Sequence, residues 1–349
     1  MAEPLEWHLV KEICEANNSD ALIVVEAFDS DIRRNVSHRD VTKTVSGGQV
    51  TCSDPVLAIV TARTLPKMTI NWFPGHMNKA RRELAETLRR TDVVIEVLDA
   101  RLPQSSRNPM LAELRQDTPA LVLLNKADLA DPDITAQWVE AFSARHHTQA
   151  RPLNAGEARE TKSIPGLCKS LVPHRRGPGK EVRCLVVGIP NVGKSTLINS
   201  LLGRRVNAVG DRPAVTKHQK RFHLDQGVSL ADTPGVLWPK LADQEGAYRL
   251  AASGAVRETA FMMEEVAAFA AGFLAERYPE ALMERYRLDT LPEESLAILE
   301  AVGRKRGFLQ RGNQIDLERS SEVLLRELRG GQLGRVSFET PDDFEENTG

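Results

Sequence analysis

The segment that most constrains the fold is the glycine-rich loop Gly188-Ile-Pro-Asn-Val-Gly-Lys-Ser195. It follows the apolar, β-branched run Val182–Val187 and precedes residues 196–202, whose apolar positions have helical spacing. A strand, a glycine loop and a helix in this order are typical of a phosphate-binding P-loop, whereas a chance glycine turn needs neither flanking element. Backbone N–H groups and the helix N-terminus would surround phosphate oxygens, because both carry partial positive charge.

The P-loop predicts a role for several of its residues. Lys194 would place a cation on the β- and γ-phosphates and so act in catalysis, and Ser195 would offer its hydroxyl to Mg²⁺. The predicted phosphate-binding residues are Pro190, Asn191, Val192, Gly193, Lys194, Ser195, Thr196 and Gly235. The loop therefore predicts a nucleotide site that uses Mg²⁺ as its cofactor.

The base is indicated by Asn125-Lys-Ala-Asp128, which follows a second apolar run, Ala120–Leu124. The carboxylate of Asp128 can accept the N1–H and the N2 amino proton of guanine, and adenine offers no such pair of donors. A polar loop after a strand is the alternative, but the tetrapeptide combined with a P-loop favours guanine. Asn125, Lys126 and Asp128 are therefore predicted to bind guanine, and GTP and GDP are the expected ligands.

A third loop has the form of the remaining guanine contact. Pro152-Leu-Asn-Ala-Gly156 carries Asn154-Ala155 where Ser-Ala is more common. The backbone N–H of Ala155 would then donate to guanine O6. An ordinary strand-to-helix turn is an equally good interpretation of these residues.

The order of these motifs is unusual, since Asn125 precedes Gly188 and most GTPases place the P-loop first. A parallel α/β sheet tolerates the change, because circular permutation joins chain ends at surface loops and preserves the core. The predicted fold class is α/β, with a circularly permuted P-loop G domain followed by a small all-α C-terminal domain. The G domain is expected to contain a mostly parallel sheet with helices on both faces.

Two further segments are predicted to contact Mg²⁺ and the γ-phosphate. Thr216 lies in the polar loop 204–219 and would coordinate Mg²⁺ as a switch threonine. Asp232-Thr-Pro-Gly235 follows the apolar strand Val228–Ala231, so Asp232 is a predicted Mg²⁺ partner and the Gly235 N–H a predicted γ-phosphate donor. The predicted Mg²⁺ residues are therefore Ser195, Thr216 and Asp232.

The group that orients the attacking water is not evident. Val236-Leu-Trp238 stands where Ras-like enzymes carry a glutamine, and an apolar side chain cannot hold water. His76 is the candidate catalytic residue, because a neutral imidazole can accept a proton near physiological pH; a histidine that only shapes its Pro-Gly turn is the alternative. Asn191 is a candidate K⁺ ligand, and the bound K⁺ would act like an arginine finger.

Composition and charge limit the other function classes. The chain has 349 residues, enough for two or three domains, and its net charge of −2 means that any nucleic-acid surface must be local. The cysteines show no CxxC spacing and indicate reduced thiols, so a cytoplasmic location is expected. Neither a signal peptide nor a membrane span is predicted, since the most apolar helix, near residues 261–274, carries two glutamates.

Residues 1–67 form an N-terminal extension to which no role is assigned. A helix is predicted over Glu6–Ala16 and strands over Ala21–Phe28 and Pro55–Val60. The segment is a small domain, a poorly packed extension or an upstream start that is not used. The other predicted divisions are a G domain with an N-terminal arm at 68–245, a helical RNA- or ribosome-binding domain at 246–339 and an acidic tail at 340–349.

Residues 246–339 have helical periodicity, with Asp316 as a predicted N-cap. The segment Arg304-Lys-Arg-Gly-Phe-Leu-Gln-Arg311 carries four basic residues and no acid, which predicts contacts to RNA phosphates; a solvated loop is the alternative. The tail from Glu339 to Gly349 is acidic and is expected to be disordered. The predicted RNA contacts are Arg304, Lys305, Arg306 and Arg311.

Several motifs together resemble one family. They are Trp72-Phe-Pro-Gly-His-Met77, Asp99-Ala-Arg101, Ser106-Arg-Asn-Pro109, Pro234-Gly-Val-Leu-Trp-Pro239 and Gly303-Arg-Lys-Arg-Gly307. With the permuted order, this set is similar to the YlqF/RbgA family of circularly permuted GTPases over residues 68–339. The resemblance implies a GTP-hydrolysing factor that helps to mature the large ribosomal subunit and binds it through rRNA. Residues 1–67 depart from the pattern, since members usually begin near the position of Met68.

Two other functions stay open on these residues. Because the glutamine is absent, the chain could be a non-catalytic or weakly catalytic nucleotide-gated RNA-binding module. It could also be a small signalling GTPase with a protein partner, but it lacks a C-terminal lipidation cysteine and the 304–311 segment favours RNA. The expected state is a monomer in which the bound nucleotide sets the angle between the G domain and the C-terminal helices.

Overall fold

The computed structural model describes residues 42–45, 48–51, 77–175, 180–204, 220–224, 227–232 and 244–347. The chain divides into two compact units, residues 1–67 and residues 68–349.

The N-terminal unit contains an antiparallel strand pair. Strand β1 (Thr42–Val45) pairs with β2 (Gly48–Thr51), and Thr42 lies opposite Thr51. The helix predicted over 6–16 and the strands predicted over 21–28 and 55–60 lie outside the described residues.

The second unit is built on a six-stranded sheet. Its strands are β3 (Val93–Asp99), β4 (Ala120–Asn125), β5 (Thr148–Leu153), β6 (Val182–Val187), β7 (Lys220–Leu224) and β8 (Val228–Asp232). Their order across the sheet is β5-β4-β3-β6-β8-β7, and every neighbouring pair is parallel except β7 with β8. The mostly parallel sheet predicted from the sequence is therefore confirmed.

The sheet is covered on both faces, as its apolar strands require. The helices that cover it are α1 (Met77–Leu88), α2 (Pro109–Arg115), α3 (Pro132–Ser143), α4 (Ala158–Thr161), α5 (Ile164–Leu171) and α6 (Lys194–Leu202). Along β3, Val93 joins a core with Ile164 of α5 and Leu197 of α6, whereas Val94 joins a core with Leu88 of α1 and Leu111 of α2. Alternate residues of one strand therefore face opposite helical layers.

The strand order shows how the permutation is accommodated. The P-loop strand β6 lies at the centre, with β3 on one side and β8 on the other. Because β3, β4, β5, β6 and β8 are parallel, their C-terminal ends meet at one edge of the sheet. The loops that carry the nucleotide motifs are therefore neighbours in space, although their order along the chain is changed.

Residues 244–329 form a helical domain. Its helices are α7 (Gln244–Ser253), α8 (Met263–Arg277), α9 (Pro279–Tyr286), α10 (Ser295–Arg306) and α11 (Leu317–Arg329). The predicted cap of α11 is confirmed, since the side chain of Asp316 accepts a hydrogen bond from the Arg319 N–H at 3.0 Å. Among the described residues, no helix combines the length and the apolar character that a membrane crossing requires.

The C-terminal strap, residues 336–344, returns from the helical domain to the G domain. The Val336 N–H donates to the Leu129 carbonyl at 2.9 Å, and the Trp138 indole N–H donates to the Glu339 carbonyl at 3.0 Å. The Phe344 ring lies 6.1 Å from the Trp138 ring. The expectation of a disordered tail from residue 339 is therefore wrong for residues 339–344, because an aromatic side chain and backbone hydrogen bonds anchor an acidic segment.

Glu339 is the polar centre of the strap. Its side chain is fully buried and accepts hydrogen bonds from the backbone N–H of Gln104 at 2.8 Å and of Ser105 at 3.1 Å. It also accepts from the Ser105 hydroxyl and pairs with Arg249 of α7 at 3.5 Å. One carboxylate therefore joins the loop after β3 to the first helix of the helical domain.

Replacement of Glu339 tests the strap. Glu339→Ala leaves the N–H groups of Gln104 and Ser105 without their acceptor and removes one of the two carboxylate partners of the buried Arg249, so we expect the free energy of unfolding to fall by about 3 kcal/mol. The control Asp342→Ala removes an exposed acid from the same segment and should change it by less than about 0.5 kcal/mol. Urea unfolding of both variants measures the difference, and equal midpoints would contradict the assignment.

Candidate nucleotide-binding site

The P-loop closes tightly between β6 and α6. Gly193 is the N-cap of α6 and has φ = +103°, and Asn191 has φ = +56°. Lys194 is buried, and its ammonium group donates to the carbonyl oxygens of Gly188 at 2.8 Å and Ile189 at 2.9 Å. The loop therefore curves around the lysine that was predicted to reach the phosphates, and its N–H groups lie at the start of a helix.

Asn125 connects this loop to both guanine loops. Its amide nitrogen donates to the Val192 carbonyl at 2.6 Å, and its amide oxygen accepts from the Ala155 N–H at 2.8 Å. A β-carbon on Gly193 would lie 2.1 Å from the same amide nitrogen, so only glycine fits there. The Ala155 N–H donates to Asn125 in this structure, and its predicted bond to guanine O6 stays a prediction.

The other predicted guanine residues lie at the same sheet edge. Asp128 is exposed to solvent, as a carboxylate that receives a base must be. The Asn154 side chain accepts from the Gly156 N–H at 3.0 Å and shapes the third loop. Lys126 has φ = +61°, and its ammonium group contacts Asp99 at 2.9 Å.

Asp99 and Arg101 form a buried ion group to which the sequence analysis assigned no role. The Arg101 guanidinium donates to both carboxylate oxygens of Asp99, at 2.9 and 2.8 Å, and Lys126 donates to one of them. Burial raises the pKa of Asp99, but the two cations outweigh it and hold that pKa well below its usual range. The Asp99-Ala-Arg101 motif was visible in the sequence, but its contact with Lys126 depends on the pairing of β3 with β4.

The end of α7 contacts both of these clusters. The Asn191 side chain donates to the Gly254 carbonyl at 2.9 Å, and Arg101 approaches the Ser253 carbonyl at 3.5 Å. Arg329 of α11 donates to the Ala251 and Ala252 carbonyls, at 3.0 and 3.1 Å. Carbonyl groups at a helix C-terminus attract hydrogen-bond donors and cations. The P-loop, the ion group and α11 therefore all contact the C-terminal end of α7.

The residues present fit a magnesium ion. Asp232 ends β8 fully buried and lies opposite Val186 of the P-loop strand β6, so it is next to the P-loop. Ser195 lies in the first turn of α6. A hydroxyl and a carboxylate are hard oxygen donors, and Mg²⁺ is commonly held by one or two carboxylates together with substrate phosphates.

Three predicted residues lie outside the described part of the chain. They are His76, Thr216 and Gly235. Their predicted roles stay predictions.

The predicted RNA contacts divide into two kinds. Arg304 and Lys305 are exposed in the last turn of α10, and Arg311 is exposed beyond it. Arg306 instead binds Glu327 at 2.8 Å and lies over the Tyr286 ring. Of the four, Arg306 is thus already committed to a contact within the helical domain.

Known proteins share this combination of features. A family model described as a 50S ribosome-binding GTPase matches residues 183–277, and a model of a domain of unknown function matches residues 1–62. Ribosome biogenesis GTPase A of Bacillus cereus is 46% identical over 286 residues, which cover 80% of this chain and 96% of that protein. The chain belongs to the ribosome biogenesis GTPase A family.

Other members of the ribosome biogenesis GTPase A family match about the same share of this chain. The Thermotoga maritima protein of that name is 34% identical over 79% of this chain and 96% of its own length. The GDP-bound structure of YlqF has a TM-score of 0.55 at 28% identity and covers 75% of this chain and all of that one. GNP-bound YlqF from T. maritima has a TM-score of 0.54 at 29% identity, with coverages of 76% and 99%. The chain is therefore a GTPase with the permuted fold of this family.

Gly193 provides a test of the P-loop geometry. In Gly193→Ala the new β-carbon would meet Asn125 in a left-handed conformation, so we expect the Kd for GTP to rise about 100-fold or more. The control Gly166→Ala, on α5, meets nothing within 4 Å and should bind GTP normally. Equal affinities of the two variants, measured by calorimetry, would contradict this geometry.

Lys194 predicts a dependence of nucleotide binding on pH. Burial lowers its pKa to about 8, although Asp232 partly opposes the shift. Phosphate raises the pKa of a lysine, so binding above pH 8 must take up a proton, and the association constant should fall by up to about tenfold per pH unit. Below pH 8 it should be constant.

The measurement is a titration with fluorescent GDP between about pH 7 and 9. Lys194→Arg is the control, because a guanidinium does not lose its proton in this range. A similar decline in the two proteins would assign the effect to another group.

Proposed function

We propose that the protein couples GTP hydrolysis to nucleotide-dependent binding of the large ribosomal subunit through rRNA. The observation that carries the proposal is the contact of Asn191 with Gly254, which joins the phosphate loop to the end of α7. Helix α7 is also the first helix that the structure describes after Asp232 and the predicted switch segment. A change at the phosphates therefore has a short path to the helical domain.

The residues of the site would have separate roles. Asn125 and Asp128 would select guanine, and Lys194 would leave its carbonyl partners for the β- and γ-phosphates. Mg²⁺ held by Ser195, Thr216 and Asp232 would neutralise phosphate charge. The family name and the 50S description support the ribosomal partner.

The groups that complete hydrolysis are part of the proposal. His76 is proposed to orient the attacking water, since no glutamine follows Gly235. Asn191 is proposed to bind K⁺ through its amide oxygen, because its nitrogen donates to Gly254. Binding of K⁺ would then draw on the same side chain that contacts α7.

The remaining assignments concern organisation. We propose a cytoplasmic monomer with a G domain at 68–245 and a ribosome-binding helical domain at 246–339. The strap extends the contacts between the C-terminal part of the chain and the G domain to residue 344, where Phe344 lies against Trp138 of α3. For residues 1–67, the match over residues 1–62 supports a small domain over a poorly packed extension.

The deciding experiment measures GTP turnover by the full chain, alone and with large ribosomal subunits, in K⁺ and in Na⁺ buffer. We expect the subunits to stimulate turnover about tenfold or more and K⁺ to be required. Asn191→Ala should abolish the difference between K⁺ and Na⁺. Stimulation that is equal in both buffers would remove Asn191 as a K⁺ ligand.

Binding of the large subunit is measured in parallel by co-sedimentation with GDP and with a non-hydrolysable GTP analogue. The proposal expects the analogue form to bind about tenfold more tightly, and Asn191→Ala to reduce that ratio. Equal binding of the two wild-type forms would refute nucleotide-dependent binding.

A further inference from the structure

Residues 308–316, between α10 and α11, form a hydrogen-bonded finger. The Gln310 N–H donates to the Gln314 carbonyl at 2.8 Å, and the Asp316 N–H donates to the Phe308 carbonyl at 3.0 Å. Leu309 and Ile315 pair between these two bonds as an antiparallel bridge. Of the segment 304–311 predicted to contact phosphates, residues 304–306 end α10 and residues 308–311 form one edge of a short hairpin.

The tip of the finger has a defined backbone. Gly312 has φ = +84° and Asn313 has φ = +63°, the left-handed values that tight hairpin turns need and that glycine and asparagine tolerate best. Residues 310–314 are all exposed. A preformed tip loses little conformational entropy when it binds, so its side chains are ready for contact.

The base of the finger is anchored in the helical domain. A β-carbon on Gly303 would lie 2.5 Å from the Ile315 side chain, so the glycine lets Ile315 pack against α10. The Phe308 N–H donates to the Gly303 carbonyl at 2.8 Å. On the other side, the Arg319 guanidinium lies 4.5 Å from the centre of the Phe308 ring.

The tip offers a particular chemistry. Its exposed polar side chains are Gln310, Arg311, Asn313 and Gln314. Three of the four are amides, each with a donor and an acceptor, and the stretch from 304 to 315 contains no acid. Leu309, 52% exposed, adds an apolar surface beside them.

This chemistry fits the edge of a nucleic-acid base better than a phosphate. A phosphate offers only acceptors and would use only the N–H donors of these amides, whereas base edges present donors and acceptors together and can use both amide groups. Arg304 and Lys305, exposed on the last turn of α10, already supply cations for the backbone; within the described residues neither forms an ion pair. In duplex RNA the base edges are hard to reach, and they become available in loops and bulges.

We infer that the finger reads an unpaired base in an RNA loop through Gln310, Arg311 and Asn313, while Arg304 and Lys305 hold the flanking phosphates. The inference rests on the proposed binding of rRNA, and it adds the class of RNA and the residues that distinguish it. It also separates specificity from affinity, since the tip supplies hydrogen-bond readout and α10 supplies charge.

The test uses the full chain and two RNA probes with the same stem, one closed by a single-stranded loop and one continued as a duplex. The tip variant is Gln310→Ala/Arg311→Ala/Asn313→Gly, in which glycine keeps the left-handed turn. The charge variant is Arg304→Ala/Lys305→Ala. Thermal midpoints equal to that of the wild type show that both are folded, and Arg311→Gln serves as a second tip variant.

We expect the wild type to bind the loop RNA about tenfold more tightly than the duplex. The tip variant should lose that preference and keep most of its duplex affinity. The charge variant should bind both RNAs more weakly and lower the slope of log affinity against log salt by about 2. Arg311→Gln should reduce the loop preference only in part, because an amide remains at the tip.

Three results would overturn the inference. If the tip variant loses affinity for both RNAs to the same extent, the finger contacts phosphates only. If the tip variant binds the loop RNA normally but no longer binds large subunits, the partner of the finger is a ribosomal protein. Normal binding of both would remove the finger from the interface, whereas a wild type that binds no large subunit would refute the proposed function itself.

Discussion

The amide of Asn125 joins loops that are far apart in the chain and adjacent in the fold. Its nitrogen donates to the P-loop at Val192, and its oxygen accepts from the third guanine loop at Ala155. Both bonds are buried, so loss of either would leave polar groups without a partner and cost about 1–3 kcal/mol. The close approach of Gly193 follows from the same contact. Circular permutation preserves this arrangement, because the arrangement depends on the parallel pairing of the strands and not on their order along the chain.

A second layer of contacts carries the site outward to the helical domain. Asp99, Arg101 and Lys126 form an ion group whose removal from water is unfavourable unless all partners are in place. Arg101 also reaches the end of α7, where Asn191 donates to Gly254. Hydrogen bonds therefore connect the guanine loop and the P-loop to the first helix of the helical domain. A displacement of any of these three elements changes the contacts of the other two.

Predictions that depend on residues close together in the sequence agree with the structure, whereas several contacts between distant residues were not predicted. The P-loop, the strands around it and the Asp316 cap depend on neighbouring residues, and all three are confirmed. The strap was missed, because an acidic segment gave no sign that Glu339 would be buried against residues more than two hundred positions away. The contact between Ala155 and Asn125 was not anticipated for a similar reason, since it depends on how two strands pair.

The sequence by itself determined the chemistry of this protein: a P-loop for phosphates, a carboxylate at Asp128 for guanine, and a permuted order that a parallel sheet can accept. Short motifs carry that information, because a strand, a turn and a helix form from local residues. Only the tertiary structure decided which groups share a partner, as with Asn125, Asp99 and Glu339. It also decided that Arg306 is bound to Glu327 while Arg311 stands exposed on a finger. Such contacts depend on packing between distant segments, and burial then determines their strength.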